Sequence, residues 1–183
     1  MIGLANGGTD TINAIKTAGE FGIVAGGQKL VGLVLFISDI HALGLKAANG
    51  LMLTTAYCRD LNDKTRVFAE RFARRSNGKV PSMSQVGTYS ATLANLRAVE
   101  KVGSAKGAAA VVAAMRDACT FDDPLFGKTT VRVDGRVVHD MYLVEVKKSE
   151  QSKKPFDYYK VASTIPAGRA FRPLADGNCS LAQ

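Results

Sequence analysis

Histidine and cysteine, the residues that most often hold metals or carry nucleophilic chemistry, are scarce: 183 residues contain two of the first and three of the second. Cys58, Cys119 and Cys179 are far apart, with no CxxC pair and no histidine at ligand spacing, so no metal site is expected. One disulfide with a leftover thiol and three buried thiols are both open. His41 falls on a predicted helix and His139 at a strand start, each read as a surface or hydrogen-bonded residue and not as a base. GxSxG and HExxH are both missing, which removes the hydrolase nucleophile and the zincin site. No apolar stretch reaches the roughly 20 uncharged residues that span a bilayer. Met1 is followed at once by a strand, so no signal peptide is expected within this chain. Acidic residues are the minority, 16 against 24 Lys and Arg, for a net charge of +8. That excess is scattered. Its densest groups, Arg71/Arg74/Arg75/Lys79 and Lys147/Lys148/Lys153/Lys154, lack the interleaved aromatics of a base-stacking surface, so no nucleic-acid partner is expected.

Hydrophobic residues make up 46% of the chain and charged ones 22%, ordinary globular usage for one domain or two small lobes. The stretch that organises the rest is the beginning. Ile2 to Ala5 is an apolar run of strand length, broken by Asn6-Gly7-Gly8, residues that tolerate positive φ. Thr9 or Asp10 is placed to cap a helix carrying Ile12, Ile15 and Ala18, with Gly22 to end it. Lys29 to Ile37, apolar on both faces, reads as a buried parallel strand. Ser38 and Asp39 are cap candidates for a helix with Ile40, Leu43 and Ala47, and Leu51 to Tyr57 is a third strand. Strand, helix, strand, helix, strand predicts a parallel sheet with right-handed crossovers.

From Cys58 the pattern is helical. Asn62 or Asp63 caps a helix ended by Asn77-Gly78. Pro81 to Val102 is a longer helix with Val86, Tyr89, Leu93, Leu96 and Val99 or Ala98 on one stripe, and Ser104 to Ala118 is Ala-rich. The period then switches to two: Val131 to Val138 is a hairpin with Asp134-Gly135 as a type I′ turn, Met141 to Val146 a strand, and Tyr158 to Thr164 a last extended piece.

Catalytic constellations are nearly absent from the sequence. Gly127-Lys128-Thr129 looks like the end of a phosphate loop but leads into strand. Asp122 and Asp123 are adjacent, point to opposite faces, and read as turn-forming. What stands out is polar residues at the carboxyl ends of parallel strands: Asn6 to Asp10 after the first and Phe36 to Asp39 after the second. Ligands bind at such edges. Helix-start N–H groups there suit a carboxylate and Asp39 suits an ammonium, a pairing that fits an amino acid, with plain helix capping as the rival explanation.

Ile2-Gly-Leu-Ala-Asn-Gly-Gly-Thr-Asp-Thr-Ile-Asn-Ala-Ile-Lys and Gly44-Leu-Lys-Ala-Ala-Asn-Gly-Leu resemble the solute-binding proteins of branched-chain amino acid ABC transporters, the type I periplasmic-binding-protein class. So do Tyr89-Ser-Ala, Asp122-Asp-Pro-Leu-Phe-Gly-Lys, Asp134-Gly-Arg, Tyr142-Leu-Val-Glu-Val-Lys and Phe171-Arg-Pro-Leu. The resemblance implies an α/β fold, a Rossmann-like parallel sheet flanked by helices, as part of a two-lobed architecture with a C-terminal β-hairpin. It assigns 1–57 and 139–183 to the second lobe and 58–138 to the first, and implies that only the C-terminal half of such a protein is present. Ligand contacts map to Asn6, Gly7, Gly8 and Thr9, to Phe36, Ser38 and Asp39, and to Gln85 beside Ser84. The implied ligand is an amino acid, amide or aromatic acid, the implied partner an ABC transporter permease, the location periplasmic, with no cofactor and no enzymatic activity. A homodimer through an exposed sheet edge is expected as well. The alternatives are a ligand-sensing regulatory domain of the same fold and a non-binding truncated remnant that self-associates.

Overall fold

The computed structural model describes residues 1–117 and 120–177; Cys119 and Cys179 lie outside the described residues, and Cys58 is a buried free thiol. In chain order the strands and α-helices are β1 (Ile2–Leu4), α1 (Thr9–Glu20), β2 (Leu30–Gly32), α2 (Ile37–Leu43), α3 (Leu45–Ala48), β3 (Met52–Thr55), α4 (Asp63–Arg75), α5 (Met83–Val102), α6 (Ala108–Asp117), β4 (Thr120–Asp123), β5 (Gly127–Val131), β6 (Val137–Val138), β7 (Met141–Val146), β8 (Tyr159–Ile165) and α7 (Ala167–Ala170). They gather into two compact units, Met1–Met83 with Tyr142–Thr164, and Ser84–Met141 with the segment from Ile165 onward.

The first unit holds a five-stranded sheet in the order β1-β2-β3-β7-β8. Strands β1, β2 and β3 are parallel, in register Ile2↔Leu30 and Val31↔Met52, and β7 closes antiparallel on β3 with Leu53 opposite Val144. This is the βαβαβ arrangement that the alternation of apolar runs and helical patterns predicts. Its core is Ile15 from α1, Leu30, Leu35, Ile40 from α2, Leu53, Val144 and Val146. Gly22, at φ +66, lets the chain leave α1, and the Ile23 N–H returns to the Ala18 carbonyl at 2.9 Å.

Two local expectations are corrected. The long buried strand Lys29–Ile37 stops at Gly32, because the chain bends there and Leu35 folds back over it. A Cβ built on Gly32 would stand 2.9 Å from the Leu35 Cβ. Leu35 is then fully buried while Leu33 and Val34 are left exposed. The N-caps also fall earlier: Gly8, not Thr9 or Asp10, caps α1, and Phe36, not Ser38 or Asp39, caps α2. Asp39 acts from the third helical position, its carboxylate accepting the Phe36 N–H at 2.8 Å. For α4 the sequence cap holds, with Asn62 Oδ1 accepting from Thr65 N–H at 3.1 Å.

In the second unit β4, β5 and β6 form an antiparallel sheet. The hairpin between β5 and β6 is not a two-residue type I′ turn. Arg132 N–H reaches the Arg136 carbonyl at 2.9 Å, and Gly135 N–H the Arg132 carbonyl at 2.9 Å. Only Gly135, at φ +80, is left-handed. A three-residue loop with glycine at its left-handed position is the result, since type I′ would demand positive φ at Asp134 too. On α5 the buried stripe is Val86, Ser90, Ala94 and Ala98, whereas Tyr89 and Leu96 are exposed. Small residues four apart let α6 approach closely, with Ala98, Val111 and Ala114 in one cluster. Ser90 has its own task, donating to the buried Asp123 carboxylate at 2.6 Å. Asp123 also accepts from Leu125 and Phe126 N–H, both at 2.8 Å, so it builds the β4–β5 turn.

Candidate functional site

In the first unit the carboxyl ends of β1, β2 and β3 share one edge, the edge that binds ligands in open α/β sheets. The turns after β1 and β2 are neighbours, as the parallel pairing requires. Leu33 N–H donates to the Leu4 carbonyl at 3.1 Å, and a Cβ on Gly7 would lie 3.4 Å from Val34 Cγ1. Asn6, Gly7, Gly8 and Thr9 are all exposed there, and the backbone at the start of α1 carries no side-chain cap. Phe36 is half-buried, Ser38 exposed, and one Asp39 oxygen is engaged by Phe36 N–H. Ser84 and Gln85 are exposed at the start of α5, in the second unit.

The sequence reading missed a small pocket in the first unit formed by Phe36 and Ile37, by Thr55, Tyr57 and Arg59 after β3, by Pro81–Met83, and by Tyr159 at the start of β8. Applying the strand-end rule to the third parallel strand would have pointed to Tyr57. Tyr159 is distant in sequence, and nothing local marks it. Most polar groups here are engaged. Thr55 Oγ1 donates to the Tyr57 carbonyl at 3.0 Å and accepts Tyr57 N–H at 3.3 Å. The Tyr57 hydroxyl donates to the Thr65 carbonyl at 2.8 Å. Arg59 reaches Asp60 through Nε at 2.9 Å and Nη2 at 2.7 Å, and the Pro155 carbonyl through Nη1 at 2.7 Å. The Tyr159 hydroxyl, by contrast, is buried with no partner. Burial is the largest cause raising the phenols of Tyr57 and Tyr159, so both are protonated at neutral pH. Burial likewise pushes the Cys58 thiol up to about 12, which makes it an inert core residue.

Both histidines have structural partners. His41 Nδ1 lies 2.8 Å from the Tyr158 hydroxyl, and its ring stacks on Phe156 at 4.5 Å. His139 stacks on Phe126 at 4.3 Å and meets Phe171 edge-on at 5.3 Å. Gly127-Lys128-Thr129 is strand β5, with Thr129 Oγ1 donating to the Phe121 carbonyl at 3.0 Å. A phosphate loop would need a helix there. Among the described residues no helix is long and apolar enough to cross a membrane.

A family profile described as periplasmic binding protein matches residues 1–152. A periplasmic binding protein from Burkholderia mallei is 42% identical with a TM-score of 0.89, over 99% of this chain and 47% of that one. A branched-chain amino acid ABC transporter periplasmic ligand-binding protein from Burkholderia xenovorans is 38% identical with a TM-score of 0.88, over 100% of this chain and 48% of that one. An ABC transporter solute-binding protein from Rhodopseudomonas palustris, in complex with 3,4-dihydroxybenzoic acid, shares the fold at 21% identity and a TM-score of 0.65, over 85% of this chain and 42% of that one. The chain therefore spans about half the length of the solved structures it matches. No curated protein matches it.

Proposed function

The chain belongs to the periplasmic binding protein family, and we propose that it forms part of an extracytoplasmic protein that binds an amino-acid-like solute for an ABC importer, without enzymatic activity. The observation that carries this reading is the gathering of the Asn6–Thr9 turn and the Phe36–Asp39 turn on one carboxyl edge of a parallel sheet. Exposed N–H groups at the start of α1 suit a ligand carboxylate, which the helix dipole favours there. Asp39 keeps Oδ1 for a ligand ammonium while Oδ2 accepts the Phe36 N–H. Asn6, Gly7, Gly8, Thr9, Phe36, Ser38 and Asp39 are the proposed contacts, with Gln85 carried over from the family resemblance alone. The relative from Burkholderia xenovorans, described as a branched-chain amino acid transporter's ligand-binding protein, supports an amino-acid ligand. The complex of the Rhodopseudomonas palustris protein keeps aromatic acids among the ligands to test. Self-association through β1, an edge strand that leaves Ile2 exposed, completes the proposal.

The test is a thermal melt of this chain against a panel of amino acids, small amides and aromatic acids. A ligand present at a hundred times its dissociation constant stabilises the fold by about 2.7 kcal/mol, a rise of several degrees in a domain of this size. A cooperative melt that no member of the panel moves defeats the reading.

A further inference from the structure

We propose that the amino edge of the first unit's sheet carries a second small-molecule site, which takes a small aliphatic acid bearing an amino or hydroxyl group. Lys29 and Lys46 receive its carboxylate and Glu145 its donor group. The site lies at the opposite end of the strands from the turns at residues 6–9 and 36–39, and it does not depend on the reading given to them.

A cavity of about 430 Å³ opens within the first unit where β2 and β3 begin. It is walled by α1, by residues 27–30 leading into β2, by α3 and residues 49–51 leading into β3, and by Glu145 of β7. Small-molecule pockets run to roughly 300–1,000 Å³, so this one has room for a ligand of amino-acid size. Its floor is Ile15, Leu30 and Leu51, each 3% exposed, and no aromatic ring is among its lining residues. That surface suits a short aliphatic chain. Three charged side chains line the same cavity without neutralising one another. Lys29, Lys46 and Glu145 enter no ion pair with any described residue. Both lysines are exposed, and Glu145, opposite Met52 in the β3–β7 register, is half-buried. A carboxylate held apart from two ammonium groups across a cavity leaves a gap that a ligand with both kinds of group bridges. The ligand's carboxylate accepts from the lysines, and its ammonium or hydroxyl donates to Glu145. Gly19 gives an independent indication. It lies one turn beyond Ile15 on the same face of α1, where glycine is a poor helix former. A Cβ added there meets nothing within 4 Å, so the chain's own packing does not demand so small a residue. Its missing side chain keeps that wall of the cavity open.

The experiment is a calorimetric titration with four matched probes: L-leucine, its α-hydroxy analogue, isocaproate, which lacks the donor, and isoamylamine, which lacks the carboxylate. L-leucine and the hydroxy acid should bind saturably, with isocaproate roughly tenfold weaker, the value of one hydrogen bond to a charged group, and isoamylamine weaker still. Gly19→Leu fills the cavity and replaces glycine with a better helix former. Its melting midpoint should equal or exceed that of wild type, while each acid loses one molecule bound per chain. Lys46→Ala removes only an exposed side chain, and should weaken both acids at this site roughly tenfold with the midpoint unchanged. That second variant decides the matter if Gly19→Leu folds poorly. Glu145→Gln should weaken L-leucine more than the hydroxy acid, because only the ammonium loses a charged partner. Isocaproate binding as tightly as the hydroxy acid overturns the role of Glu145. Binding that Gly19→Leu and Lys46→Ala both leave unchanged lies elsewhere; it overturns the inference and leaves the carboxyl-edge reading standing. Failure of both acids to bind wild type overturns it as well, while the wider panel still decides the carboxyl-edge reading.

Discussion

Asp134 and Asp157 carry the chain's clearest pH dependence. The hydrogen bond from Arg132 is the largest cause holding the Asp134 carboxyl down to about 2, helped by the Arg136 N–H. For Asp157 burial is the largest influence and pushes its carboxyl up. The Lys147 ammonium and the Lys153 N–H at 3.0 Å together outweigh it, and the result lies below the ordinary value. A carboxyl lowered by folding stabilises the fold fully above its unfolded value, here 3.8, and that support is lost as pH falls through the folded value. Melting midpoints should therefore hold from neutral pH to about 4 and fall below it. Asp157→Asn should lower the neutral midpoint and flatten the acid limb. An acid limb that the variant leaves unchanged would mean Asp157 is not its source.

At the scale of elements, the shortness of β2 shapes the binding edge. Because the chain bends at Gly32, Leu35 enters the core and Phe36 is released to start α2 beside the pocket. Gly32→Ala places a methyl against the Leu35 side chain and should cost about 1–3 kcal/mol in urea unfolding. It should also weaken any ligand that stabilises wild type, since α2 must shift; full stability in the variant would show that Leu35 yields freely. The same element shows what sequence pattern can and cannot reveal. Met141–Val146 was legible because strand alternation is a property of neighbouring residues, and Asn62 because its cap closes within three. The end of β2 was not, because an unbroken apolar run from Leu30 to Ile37 looks the same whether it runs straight or bends. The hairpin's position was likewise legible from Asp134-Gly135, while its loop length depended on how Arg132 pairs with Arg136.

At the scale of the whole molecule, the sheet of the first unit ends on one side in β1, with Ile2 38% exposed and Met1 83% exposed. An uncovered edge of this kind offers N–H and C=O groups to a second copy, while a net charge of +8 opposes approach. If β1 pairs with its counterpart, sedimentation should report a dimer whose fraction rises with salt as the repulsion is screened. A monomer mass at high protein concentration in high salt would exclude it.

Alternation, helical spacing and turn residues determined the parallel βαβαβ core and the turns after β1 and β2, because each is encoded by residues close in the chain, whereas strand β4 (Thr120–Asp123) was not among the expected elements. Only the tertiary structure decided the pocket at the carboxyl edge. Phe36, Tyr57, Met83 and Tyr159 come from four separate segments, and no periodicity links them. Which hydroxyl is left without a partner was decided there as well, since burial and hydrogen bonding depend on every segment that packs around an atom.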